Sequence, residues 1–477
     1  MVNETSPPDI QLFESRRKVF PQKIDGTFRR LKWVVMIITL GVYYTLPWLR
    51  WDRGPNAPDQ AVLLDLEAKR FYFFFVELWP NEIYFVTGLM IAGAVSLFLV
   101  NALFGRVWCG YACPQTVWTD LFVHIERLVE GDRNQQIRND RGAWSIKKLT
   151  KKIVKHSAWI LVAILTGGAW VLYFADAPTL VWDLVTGQAS FIAYVWVGLL
   201  TSTTYLLGGI AREQVCIYMC PWPRIQAAMT DEDALNVTYR YDRGEPRGAH
   251  KKGTSWDDRG DCIDCNLCVS VCPMGIDIRN GTQLECIHCA LCIDACSSIM
   301  DKIGRPTGLI AYDTEANIER RINKEQTGWR PLRPRVLAYA AVLAIVFVAM
   351  GSAYFGRKSL DLAVQRDRNP NFVVLSDGSV RNGYTIKVSN KTLDDQHYFL
   401  TLEGLSGYGL SEVGNLENNV EPIHVIVAGN KLLSTRAYVA APKNSVKTPS
   451  KPISFVLTER WGGPNYRVND FFKGPDE

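Results

Sequence analysis

The chain has 477 residues, 48% of them apolar and 21% charged, which is too long for one domain and too apolar for wholesale disorder or a fibre. Its net charge of +5 is small for this length, and the basic residues gather beside apolar runs, so a membrane surface rather than nucleic acid is the expected partner. Mean hydropathy is −0.02, yet several runs reach spanning length, which points to a membrane anchor carrying polar parts.

In chain order, residues 1–30 form a polar basic tail with Arg16, Arg17, Lys18, Lys23, Arg29 and Arg30. No small-residue cleavage site follows the first apolar run, so no signal peptide is expected. Spans are expected at about 31–49, 82–104, 157–175, 190–210 and 336–355, each near the ~20 apolar residues a bilayer needs. Trp33, Trp48, Trp51, Trp79, Trp159 and Trp170 flank them as interfacial anchors. Nine Lys or Arg residues, from Arg127 to Lys155, lie between spans two and three, whereas residues 176–189 contain none. That bias puts the N-terminus inside, and five spans put the C-terminus outside. The aromatic run Phe71 to Phe75 is too short to span; it is expected at the outer interface, with no chemical role.

Residues 31–225 read as a four-span membrane region with a duplicated pattern, C-x-Y-x-C-P. The copies are Cys109-Gly110-Tyr111-Ala112-Cys113-Pro114 and Cys216-Ile217-Tyr218-Met219-Cys220-Pro221, each directly after a span. Proline suits the first position of a helix and pushes its predecessor out of helical conformation. Cys113 and Cys220 are therefore expected at N-caps, where the helix dipole favours thiolate. After Pro114 an interfacial helix is expected, with Val117, Leu121, Leu128 and Val129 as its apolar stripe and Asp120, His124, Glu126 and Arg127 opposite. Four soft thiolates suit Cu(I), zinc or another cluster. The bland alternative, small buried hydrophobes, is weakened by the duplication.

All twelve cysteines lie between Cys109 and Cys296 in short clusters of fixed spacing, as metal ligands do and disulfide scaffolds do not. Residues 226–335 hold the strongest signal: Cys262-x2-Cys265-x2-Cys268-x3-Cys272-Pro273, then Cys286-x2-Cys289-x2-Cys292-x3-Cys296. This is bacterial two-cluster ferredoxin spacing, in which the fourth cysteine of each run serves the other cluster. One [4Fe–4S] cluster would use Cys262, Cys265, Cys268 and Cys296, the other Cys286, Cys289, Cys292 and Cys272. Zinc needs only four thiolates per ion and has no use for a third cysteine at the same two-residue step, twice. His288, between two ligands, is expected to face solvent.

Residues 361–477 alternate with period two at Tyr384-Ile386-Val388, Tyr398-Leu400-Leu402, Ile423-Val425-Val427 and Ile453-Phe455-Leu457, with hairpin turns expected at Asp377-Gly378 and Gly429-Asn430. A β-sandwich without a disulfide follows. His397 and His424 stand beside strands and are given no role.

The run Gly105-Arg106-Val107-Trp108-Cys109-Gly110-Tyr111-Ala112-Cys113-Pro114 resembles the signature of the cytochrome c oxidase accessory protein family known as CcoG, FixG or RdxA. So does Trp51-Asp52-Arg53-Gly54-Pro55-Asn56-Ala57-Pro58. The resemblance implies a multi-domain inner-membrane protein with five transmembrane helices, a cytoplasmic two-cluster ferredoxin-like insert and a C-terminal periplasmic Ig-like β-sandwich. It further implies a cupric reductase that supplies Cu(I) for assembling cbb-type oxidase, with copper as substrate or bound ion at Cys109, Cys113, Cys216 and Cys220. Its implied partners are membrane lipid, oxidase assembly factors or copper carriers, and an unidentified electron donor. The residues alone stop at membrane-bound electron transfer near thiol metal sites. A quinol-oxidising subunit and a non-catalytic copper scaffold are the competing functions. Against the first, only His156 of the six histidines stands even at a span's edge, so no pair for haem b exists. No Rossmann glycine fingerprint or flavin motif appears, which puts any nicotinamide or flavin on another protein.

Overall fold

The computed structural model of the protein describes residues 18–250, 256–405, 407–413, 422–442, 449–460 and 465–475; Arg16 and Arg17 of the basic tail lie outside them. Among the described residues five helices are long and apolar enough to cross a membrane: Thr27–Trp48, Pro80–Phe104, Ile146–Val171, Phe191–Ala211 and Pro334–Phe355. The third starts well before its apolar run, because the Ser145 side chain accepts the Lys148 N–H and caps it. Its first turns carry Lys147 to Lys155, whose long stems suit an interface. The fourth ends in a π-helical stretch, Tyr205–Ala211, and a second one, Val215–Met219, carries Cys216. Such widened turns recur at functional sites.

The chain divides into two compact units, Met1–Leu49 with Gln60–Met350, and Arg50–Asp59 with Gly351–Glu477. In the first unit a small antiparallel sheet joins β1 (Val62–Asp65), β2 (Arg70–Phe73) and β3 (Val76–Leu78). The aromatic run thus begins as a strand. Tyr72 is buried there, and the Arg70 guanidinium lies 3.7 Å over the Trp79 ring.

The helix Pro114–Glu130 forms as expected, with Val117 of the expected stripe buried, but two positions exchange roles. Glu126 is 1% exposed and Leu128 72%. The cause is pairing from other elements. Glu126 takes Arg212 at 2.6 Å and Lys155 at 3.1 Å, Glu130 takes Lys155 at 2.9 Å, and Asp120 takes Arg29 at 2.9 Å. Trp159 stacks on Phe122 and lies under both Lys155 and Arg212. A charge layer therefore ties this helix to the first, third and fourth spans.

The cysteine-rich segment packs within the same unit. Strands β4 (Asn236–Tyr239) and β5 (Ile310–Asp313) pair antiparallel beside it. Asp294, on the helix Leu291–Lys302, accepts the Phe28 and Arg29 N–H groups at 3.2 and 2.8 Å and so caps the first span. A Cβ at Gly26 would lie 2.3 Å from the Asp294 Cγ, so only glycine admits that cap.

The second unit is a sandwich. One sheet orders β10 (Gly409–Glu412), β12 (Lys431–Ala441), β8 (Val380–Asn390) and β6 (Leu360–Arg366), with β7 (Val373–Val374) on β8. The other orders β11 (Ile423–Val427), β9 (Gln396–Glu403), β13 (Ser450–Glu459) and β14 (Tyr466–Lys473). All four alternating triplets point into one core. Asp377-Gly378 turns between β7 and β8, with the Ser379 N–H on the Asp377 carboxylate. Gly429-Asn430 does not make a hairpin: β11 and β12 belong to different sheets, and Asn430 turns the chain across with φ 55°.

Candidate metal centres

The two cysteine runs adopt one backbone twist twice. Asp264 and Asn266 flank Cys265 with φ 56° each, and His288 and Ala290 flank Cys289 with φ 52° and 61°. Non-glycine residues enter this left-handed region at about 1–2 kcal/mol each, and such strain gathers where function needs it. The gain is a concave loop whose N–H groups can turn toward an anionic centre. Helices Leu267–Val271 and Leu291–Lys302 then begin, each carrying the run's third cysteine.

Cys262, Cys265, Cys268 and Cys296 line one cavity, floored by Met300, Leu309 and Ile310. Cys272, Cys286, Cys289 and Cys292 line another, which Cys268 also borders. Each set draws one thiol from the opposite run. Burial pushes the Cys272, Cys286 and Cys296 thiols up to about 12, so each needs a compensating metal charge before it ionises. Among the described residues, no three His, Cys, Asp or Glu side chains close to single-ion distance. Two sets that each draw one thiol from the opposite run fit the interleaved ligation of two four-iron cubanes.

His288 does not face solvent. It is buried, and its Nδ1 accepts the Arg106 N–H at 3.0 Å. Burial, then the nearby Arg106 charge, pushes it down to about 3, so it is a neutral acceptor. The Arg106 guanidinium donates to the carbonyls of Leu284 and Cys286, and to Pro223 at 2.8 Å. Tyr111 Oη donates to the Cys289 carbonyl at 3.3 Å, and Tyr312 Oη to the His288 carbonyl at 2.7 Å. A Cβ on Gly110 would stand 2.7 Å from the Ile287 carbonyl and 2.9 Å from that of His288. The first C-x-Y-x-C-P copy is thus laid directly against the Cys286–Cys289 loop. Arg106, Gly110 and Tyr111 stood in the signature run, but nothing in it said what they touch.

Cys113 is the N-cap of Pro114–Glu130, as expected, with φ −61° and ψ 127°. Cys220 is extended but sits one residue early, because Pro221 caps the helix Trp222–Met229. Burial, then Cys113, raises the Cys109 thiol to about 12, with Cys220 adding to it. Cys216 reaches about 12 by burial, then through Cys113, Cys109 and Cys220. The two copies thus bring their four thiols within electrostatic reach of one another. Cys109 Sγ donates to Gln226 Oε1 at 3.4 Å, a partner the sequence did not flag. Cys109 and Cys216 also pack in one apolar cluster with Cys272 and Cys289, around Val271, Met274 and Ile287. Cys216 also borders a cavity of about 40 Å³ lined by Arg29, Lys32, Arg127, Arg212 and the buried Glu213.

Residues 211–315 match a family model described as a 4Fe-4S dicluster domain, and residues 86–130 one described as a 4Fe-4S binding domain. Residues 350–475 match one described as an Ig-like fold at the C-terminal of FixG. The nitrogen fixation protein FixG of Rhizobium meliloti is 48% identical over 476 residues, covering 94% of this chain and 91% of its own. RdxB of Cereibacter sphaeroides is 52% identical over 445 residues, covering 92% of each chain. RdxA of the same organism is 50% identical over 437 residues, covering 91% of each. A crystal structure of a FixG-related protein from Vibrio parahaemolyticus aligns with 24% of this chain and 97% of its own, at 26% identity and a TM-score of 0.21.

Proposed function

The chain belongs to the FixG/Rdx family of membrane iron–sulfur electron-transfer proteins, and from that premise we propose that it reduces Cu(II) to Cu(I) for assembly of cbb-type cytochrome oxidase. One observation carries the reading: the C-x-Y-x-C-P thiols Cys109 and Cys216 share an apolar cluster with Cys272 and Cys289. We assign Cys262, Cys265, Cys268 and Cys296 to one [4Fe–4S] cluster and Cys286, Cys289, Cys292 and Cys272 to the other; when bound, these supply one-electron chemistry. Cys109, Cys113, Cys216 and Cys220 then receive copper as substrate. Soft thiolates prefer Cu(I), so binding favours the reduced product. Arg106, Tyr111 and Gly110 hold the acceptor thiols against the Cys289 loop. In this reading residues 226–335 face the cytoplasm and residues 361–477 the periplasm. Copper carriers or oxidase assembly factors take the product, and a separate protein donates electrons.

The test uses the anaerobically purified chain, reduced and freed of reductant, with a Cu(I)-specific chelator. The parent should convert added Cu(II) to chelated Cu(I). Cys113→Ser with Cys220→Ser should retain the cluster absorbance and lose most copper binding. If that variant binds and reduces copper like the parent, the thiols are structural.

A second reading has its own support. The 4Fe-4S model over residues 86–130 covers only Cys109 and Cys113 among the cysteines. In that reading the four thiols hold a third cluster. Iron counting separates the two, at about eight irons per chain for copper at the thiols and about twelve for a third cubane.

A further inference from the structure

We propose that His397 and His424 form a two-imidazole site for a divalent transition-metal ion, Cu(II) foremost, on the outward face of the sandwich. The two residues are 27 positions apart in sequence, and only the strand register unites them. In the antiparallel pair β9–β11, His424 stands opposite Phe399 and His397 opposite Ile426. The histidines are therefore diagonal neighbours on the face opposite the core-directed Tyr398, Leu400, Ile423 and Val425.

His397 Nδ1 and His424 Nε2 lie 3.2 Å apart, with ring centroids at 5.3 Å and planes 23° apart. Two nitrogens bound to one ion at about 2.0–2.1 Å, at angles between square and tetrahedral, stand about 2.9–3.4 Å apart. The observed gap falls in that range without movement of either strand. Phe399 packs on the His424 ring at 5.3 Å and restrains it. The bland alternative is a hydrogen bond between the rings. Both are half-buried rather than sealed, so water competes for that bond.

The donor set selects the ion. Imidazole suits copper, zinc and nickel, and the divalent series peaks at Cu(II). Every cysteine of the chain lies at or before Cys296, so no thiolate in this unit pulls copper to the cuprous state. Two imidazoles alone make a site of low ligand count, and the ion is expected to exchange with solvent. This site stands apart from the twelve cysteines and does not depend on copper reduction.

The test uses the full detergent-solubilised chain titrated with Cu(II), followed by electron paramagnetic resonance. The parent should bind one more Cu(II) than His397→Gln/His424→Gln, and the extra signal should carry coupling to two nitrogens. Each single substitution should weaken that binding tenfold or more. Equal stoichiometry with the same nitrogen pattern in the double variant overturns the site. A second measurement needs no variant: Cu(II) should protect both histidines of the parent from diethylpyrocarbonate, read by mass spectrometry. Unchanged modification at saturating Cu(II) also overturns it.

Discussion

A single methyl group at Gly110 would meet backbone on two sides, since the nearest atoms are the carbonyl oxygens of Ile287 and His288 and the Cys289 Cα. None of these is a flexible side-chain end, so the loop carrying Cys286 and Cys289 must shift. Gly110→Ala is expected to lower stability by about 1–3 kcal/mol, the usual range for overpacking. Gly168 is the control, because a Cβ there meets nothing within 4 Å and it lies inside a helix, where alanine is favoured. Thermal unfolding followed at the iron–sulfur absorbance separates them. Gly110→Ala should melt lower and bleach early, and Gly168→Ala should match the parent. Equal behaviour would mean that the first thiol turn does not bear on the Cys289 loop.

At the scale of elements, the sequence was legible wherever the signal is local. Hydropathy located five spans, period-two alternation marked the four core strands, and the two cysteine runs are the residues that line the two thiol cavities. It failed where a residue's surroundings come from distant chain. The stripe after Pro114 was read with polar residues outward, because periodicity assumes that charges seek water. Lys155 and Arg212, from other elements, reverse that for Glu126. His288 was buried by Arg106 from 182 residues away, and His424 was brought to His397 by strand register. The burial of Glu126 has a measurable consequence. Burial alone would raise the Glu126 carboxyl, but Arg212 and Lys155 outweigh it and hold it below the usual range; Lys32 and Arg29 do the same for Asp120. A depressed carboxyl contributes stability above its unfolded value, near 4, and loses it as pH falls through the folded value. Stability should therefore be insensitive to these groups at neutral pH and fall with acid below about pH 4. Glu126→Gln takes the carboxylate from the buried Arg212, while Lys155 keeps Glu130, and should cost about 3–5 kcal/mol at pH 7, with a flatter acid limb, read by circular dichroism melts. An unchanged melting temperature would show that the charge layer is solvated.

For the molecule as a whole, two independent distributions speak to sidedness. Lys and Arg crowd the segment between the second and third spans and are absent from residues 176–189, which argues that the former stays in the cytoplasm. The cysteines end at Cys296, before the last span, and the sandwich beyond it has none, as expected if thiols persist on one side and oxidise on the other. Charge and thiol placement respond to different chemistry, insertion and redox poise, and we propose one topology that satisfies both: five spans, an odd number, would put the termini on opposite sides. A reporter joined after Glu477 should then be active only in the periplasm, and one inserted near Gly253 only in the cytoplasm; both positions lie outside the described residues, so neither insertion interrupts a described element. The copper proposal depends on this result. If the Gly253 reporter reads periplasmic, the eight ferredoxin-type thiols meet an oxidising compartment. Cu(II) reduction at Cys109 and Cys216 would then have to occur on the outer face, and the histidine pair of the sandwich would lie in the cytoplasm.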